Sequence, residues 1–218
     1  MRILAMTLRL LVAIAVAAAI STDTTVSIDR GELARHVSFF TNQSNAAFVL
    51  VTVLVAAFGA RRPAWLETAR GAVTFYLAMT GLVYAFVVAP VDELLRWDIG
   101  WTGIVLHRVA PVAAVADWVL TPRQHRAGPR RILIWLAYPV VYVAFTWIRG
   151  GLTGWYPYAF LDPSLGGWAA MLPILGVVLL AFLLVATVLH FCAGRLAVGP
   201  VLSDQESLAI ASSGPGSR

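Results

Sequence analysis

"SFFTNQSNAAFVLVTVLVAAF", residues 38–58, has the length needed to cross a bilayer, yet it opens on five consecutive polar side chains, Thr41, Asn42, Gln43, Ser44 and Asn45. From Ala46 to Phe58 only Thr52 is polar. Crossing about 30 Å of hydrocarbon takes roughly 17 to 25 apolar residues at ~1.5 Å of rise each, so the segment reads as a transmembrane helix with a polar entrance. A stripe of amides and hydroxyls turned to lipid would lack partners, and such a stripe therefore faces the bundle or a wet cavity. At about 100° per residue, with Ser38 at zero, Thr41 falls near −60°, Asn42 near +40°, Asn45 near −20° and Thr52 near −40°. Those five residues share one face. Gln43 and Ser44 point elsewhere, within reach of the headgroups.

Five further runs have the same character, at about 4–20, 71–90, 101–120, 131–149 and 168–192. The chain is 60% hydrophobic and 12% charged, with a mean hydropathy of +0.80, where a water-soluble domain carries roughly 25% charged residues. The fold class expected is all-α, a polytopic membrane protein built as a six-transmembrane-helix bundle. Residues 1–198 form one transmembrane domain, and residues 199–218, polar and punctuated by Gly and Pro, read as a disordered cytoplasmic tail. The apolar start behind Arg2 and Arg9 also fits a signal peptide; a retained helix is preferred, since Arg9 can snorkel. With six spans in 218 residues, any site is made of helix ends and short connections.

All sixteen basic residues are arginine. Arg2, Arg9, Arg61, Arg62, Arg70, Arg123, Arg126, Arg130, Arg131 and Arg195 flank one side of the bundle with a single acid, Glu67. Arg30, Arg35, Arg96 and Arg149 share the other side with Asp23, Asp29, Glu32, Asp92, Glu93, Asp98 and Asp162. The positive-inside rule then puts both termini in the cytoplasm of a cell-membrane protein. The charge reports topology and implies no nucleic-acid partner. The single cysteine, Cys192, excludes an internal disulfide and a CxxC motif.

The fourth span, "WTGIVLHRVAPVAAVADWVL", carries His107, Arg108, Pro111 and Asp117. The second and fourth spans run in the same direction, so depth follows from counting. Thr41 lies three residues into its span and His107 six into its own, a difference of about 4.5 Å; the two meet at one level. Asp117 lies about 15 Å deeper and is expected to pair with an arginine of the cytoplasmic side. His36 and His125 read as solvated loop residues and His190 as an interfacial one. A bis-histidine haem requires paired histidines at matching depth, and His107 and His190 are at opposite ends; neither a cofactor nor a metal is expected. The connection "GGLTGWYPYAFLDPSLGGW", residues 150–168, is rich in Gly, Pro and interfacial aromatics, among them Trp155, Tyr156, Tyr158 and Trp168, and is long enough to cover something.

Three segments, "SFFTNQSN", "LHRVAPVAAVADWVLTP" and "YPVVYVAFTWIRGGLTGWYPYAFLD", together resemble the bacterial branch of the FAR-17a/androgen-induced-gene-like family of multi-span membrane proteins. The resemblance covers residues 38–163; the animal proteins space their histidine segment differently. It implies a membrane hydrolase that cleaves fatty-acid esters with a threonine nucleophile, here Thr41, and a histidine, here His107. A threonine hydroxyl needs a base to take its proton, and a neutral imidazole serves. Asn42 and Asn45 are candidates to donate to an oxyanion, and Trp155 and Tyr156 to stand at the mouth of a cavity for an acyl chain. The expected partners are the lipid bilayer and a lipid or small amphipathic ester substrate. Two other readings stay open from the residues alone: a carrier or channel using the same polar stripe with Arg108 and Asp117, and a non-enzymatic scaffold in which the polar groups only hold helices together.

Overall fold

A computed structural model describes residues 2–89, 99–122, 125 and 128–195. Asp92, Glu93, Arg96 and Asp98, the arginines 123 and 126, and the tail 199–218 lie outside the described residues. Every regular element described is helical: α1 (Arg2–Asp29), the short α2 (Leu33–His36), α3 (Phe40–Phe58), α4 (Ala64–Val88), α5 (Trp101–Leu120), α6 (Arg130–Thr153) and α7 (Gly167–Cys192). All but α2 are long and apolar enough to cross a membrane.

The second, fourth and sixth spans start within two residues of the positions expected, whereas α1 and α4 are longer. α1 runs on through the polar "STDTTVSID" to Asp29, because Thr22, Thr25 and Ser27 return their hydroxyls to carbonyls four residues back. α4 begins at Ala64, seven residues before the expected start, and takes Glu67 and Arg70 into the bundle as an ion pair of 3.0 Å.

α4 lies at the centre, packed against α3, α5, α6 and α7, with Leu66, Phe75, Leu77 and Met79 wholly enclosed. α1 lays Ala13, Val16 and Ala19 against α3 and α5, so it belongs to the core. α7 turns most of its surface outward, Leu172, Val177, Leu180 and Leu184 included, as an apolar helix does where the surrounding medium is lipid rather than water.

Two helices widen at the same end of the bundle. Residues Val105–Val109 of α5 and Tyr84–Val88 of α4 form π-helical turns. Pro111 accounts for the first: it has no N–H for the carbonyl of His107, and its ring crowds that carbonyl in a regular α-helix. Opening one turn relieves both, and Ala110 N–H bonds back to Val105 instead. Gly81 then lets α4 approach closely, since a Cβ there would stand 3.1 Å from Pro111 Cβ and 3.3 Å from His107 O.

Candidate functional site

The two ends of the bundle treat their polar residues differently. At the arginine-rich end Asp117 accepts Arg9 Nε at 2.6 Å and Arg70 Nη2 at 3.1 Å, while Arg70 Nη1 holds Glu67 at 3.0 Å. Arg9 also donates to Thr121 Oγ1 at 2.8 Å. Arg131 lies over the rings of Trp118 and Trp135, 5.3 and 4.9 Å from their centroids. Asp117 thus has the arginine partners its depth implied. His190 is buried beside Trp135 in the last turn of α7.

At the opposite end the polar residues surround a cavity of about 810 Å³. Thr41 and His107 both line it. Its deeper walls are apolar, with Met79, Leu136, Val143, Leu175 and Phe182 among them.

Thr41 sits in the first turn of α3, where the N–H groups of a helix have no carbonyl four residues back. Its own carbonyl accepts from Asn45 Nδ2 at 2.9 Å, and the same amide nitrogen donates to Leu106 O at 3.3 Å. One wholly buried side chain therefore ties the residue preceding His107 to the residue proposed as nucleophile. Asn45 is not part of the cavity wall. Ser44 is also fully enclosed, 3.0 Å from Thr80 Oγ1 of α4, and not directed at headgroups; the face opposite the polar stripe meets α4 instead of lipid. Gln43 likewise meets protein, donating to Val37 O at 2.9 Å and accepting from the Tyr138 hydroxyl.

His107 occupies the widened turn of α5. Its Nδ1 lies 3.2 Å from the carbonyl oxygen of Gly103, which only accepts, so Nδ1 carries the proton and Nε2 keeps the lone pair in the neutral ring. The ring stacks on Tyr84 from the other widened turn, centroids 4.0 Å apart at 24°. π-turns of this kind concentrate at functional sites.

Residues in the connections complete the cavity end. His36, read from the sequence as a solvated loop residue, lines the cavity and is only part-exposed. Its Nε2 is 3.1 Å from Thr24 Oγ1, its Nδ1 3.2 Å from Asn42 Nδ2, and its carbonyl takes Asn42 Nδ2 at 2.7 Å. Asn42 therefore lines the cavity with its amide hydrogens directed at His36.

Tyr158 comes from the connection between α6 and α7 and also lines the cavity, its ring edge-on to Phe39 at 5.6 Å. Burial pushes its phenol above the ordinary value; the Thr41 hydroxyl, the backbone N–H groups of Thr41 and Phe40, and the Tyr142 hydroxyl act in the opposite direction. With burial the dominant cause, the phenol stays protonated through the physiological range.

Trp155 and Tyr156 stand apart from the cavity wall. Trp155 is held between the guanidinium groups of Arg35 and Arg149, 5.6 and 4.6 Å from its ring, and Tyr156 lies on Gly150, where a Cβ would come within 2.1 Å of it. The structure thus brings Thr41, Asn42 and His107 to one cavity, leaves Asn45 behind it, and leaves Trp155 and Tyr156 beside it. The aromatic connection signalled a cover in the sequence, but the residues it sends to the cavity are Pro157, Tyr158, Ala159, Phe160 and Leu161.

No known protein family, curated protein or solved structure matches the chain.

Proposed function

We propose that the protein is a hydrolase of lipid-like esters, set in the cell membrane with its site near the outer leaflet, in which Thr41 is the nucleophile and His107 the base. The observation that carries this reading is the enclosure of both side chains in one cavity that is polar at one end and apolar along its depth. An ester whose acyl chain lies among Leu136, Val143 and Phe182 presents its carbonyl at the polar end.

Thr41 Oγ1 attacks the carbonyl carbon as His107 Nε2 takes its proton. The donors proposed for the tetrahedral oxyanion are the N–H groups of Phe40 and Thr41 at the start of α3, which have no carbonyl four residues back, and the protonated Tyr158 hydroxyl, which lines the same cavity; one such donor typically contributes about 3 kcal/mol. Collapse expels the alcohol, which takes the proton from His107. A water, deprotonated by the same ring, then frees the acid and restores Thr41. Asn45 acts on position, through the carbonyls of Thr41 and Leu106.

The carrier reading loses Asp117, which is engaged by Arg9 and Arg70 at the other end of the bundle. The test is turnover of chromogenic acyl esters of graded chain length by purified protein in detergent. Thr41→Ala and His107→Ala each reduce hydrolysis at least about a hundredfold while the melting curve stays close to wild type. Turnover that is unchanged in Thr41→Ala removes the nucleophile, and equal loss of melting temperature in both variants favours the scaffold reading.

A further inference from the structure

The cavity contains one feature that ester hydrolysis does not use. Among the described residues its lining has two formal charges, Asp23 and Arg30, both from the end of α1. They stand seven residues apart, two turns on one face, with Ser27 between them also in the lining. That face continues the one that buries Ala13, Val16 and Ala19; Asp23 and Ser27 are half-buried on it, and Arg30, one residue past α1, is exposed at the mouth. Neither charge has an ion-pair partner among the described residues; the ion pairs present involve Arg9, Arg35 and Arg70.

A carboxylate and a guanidinium that share a cavity without pairing form a complementary surface for a dipolar ligand. Their order is fixed by the direction of α1: Asp23 lies about 10 Å deeper than Arg30 at ~1.5 Å per residue, a gap that the long Arg30 side chain can narrow. The volume limits the rest. A cavity of about 810 Å³ is of the size that takes a compact ligand such as one hydrocarbon chain with a small headgroup. The α6 wall from Leu136 to Trp147 gives that chain about 16 Å of length.

We infer that the cavity selects a single-chain amphiphile whose ammonium group lies next to the chain, facing Asp23, and whose phosphate or carboxylate lies outermost, facing Arg30. This rests on the reading of the cavity as the substrate site and names the headgroup recognised there: in a substrate the ester carbonyl lies between the chain and the ammonium, and a charged amphiphile without an ester reports recognition alone. The ammonium is held by charge and by Ser27 beside it, and the acidic group by the guanidinium at the mouth.

The experiment measures binding to the full chain carrying Thr41→Ala, which separates recognition from turnover. Two probes with one amine and one phosphate each are compared near pH 5, where the monoester, like the diester, carries about one negative charge: a sphingoid base 1-phosphate, with its amine next to the chain and phosphate outermost, and lysophosphatidylethanolamine, with the order reversed. A monoacylglycerol reports neutral binding and the integrity of the cavity. The sphingoid phosphate is expected to bind at least tenfold more tightly than the reversed probe, and Asp23→Asn or Arg30→Gln each removes that preference while monoacylglycerol binding stays within twofold. Equal binding of the two charged probes, or a preference that survives Asp23→Asn, overturns the inference. Failure of every amphiphile to bind overturns it together with the cavity reading; selective binding by a protein whose wild-type form turns over no ester leaves the inference standing and removes the hydrolase.

Discussion

Two aspartates show how differently the ends of this bundle use charge. Asp117 meets Arg9 and Arg70 in the arginine-rich end, closed over by Trp118 and Trp135. Asp23, half-buried, lines the cavity at the other end and has no ion-pair partner among the described residues. A charge buried in a membrane bundle either completes a structural network or addresses something that is not part of the chain. On that distinction the arginine-rich end holds the helices together, and the cavity end is free to act on a ligand.

On the axis of stability the largest effect is expected at Asp117. Asp117→Ala leaves Arg9 buried without a carboxylate and Arg70 with Glu67 alone, and lowers stability by about 3–5 kcal/mol, read by thermal unfolding in detergent, whereas Asp23→Asn changes it by less than about 0.5 kcal/mol. Equal losses in the two variants break the comparison. Next comes Gly71→Ala: its Cβ would lie 2.1 Å from the Trp135 ring and 2.8 Å from Trp118, and overpacking of this kind costs about 1–3 kcal/mol. A near-neutral result shows that the two indoles are not firmly seated.

Asn45→Ala links the two ends. Interhelical hydrogen bonds in membranes are worth about 1 kcal/mol each, so a modest loss of stability accompanies a larger loss of ester turnover as Thr41 drifts from His107. The smallest stability effect is expected at Tyr158→Phe, which keeps the ring on Phe39 and removes one oxyanion donor. Turnover falls about a hundredfold with the melting temperature unchanged; full activity in this variant excludes Tyr158 from the reaction.

Much of this contrast was legible in the sequence, and the parts that were not have physical reasons. Long apolar runs mark the spans because hydrocarbon tolerates little else. The charged start of α4 resembled a loop because a sequence does not show that Glu67 and Arg70 answer each other, or that Asp117 arrives from α5. Helical counting set Thr41 and His107 at one depth. Counting alone gives no sign of the two π-turns, although Pro111, four residues after His107, was visible and is the cause of one of them. His36 and Tyr158 escaped because they belong to connections, whose inward residues are chosen by tertiary packing; of the five aromatics at 150–168, Trp155 and Tyr156 were preferred, and Tyr158 and Phe160 line the cavity.

The central claim is that Thr41 is a nucleophile activated within the cavity. Labelling by a fluorophosphonate bearing an alkyl chain tests it most directly, with the modified residue located by mass spectrometry of the purified protein. The account predicts one adduct on Thr41, lost in Thr41→Ala and slowed at least about a hundredfold in His107→Ala. Labelling that persists unchanged in Thr41→Ala, or an adduct on another residue, would contradict it.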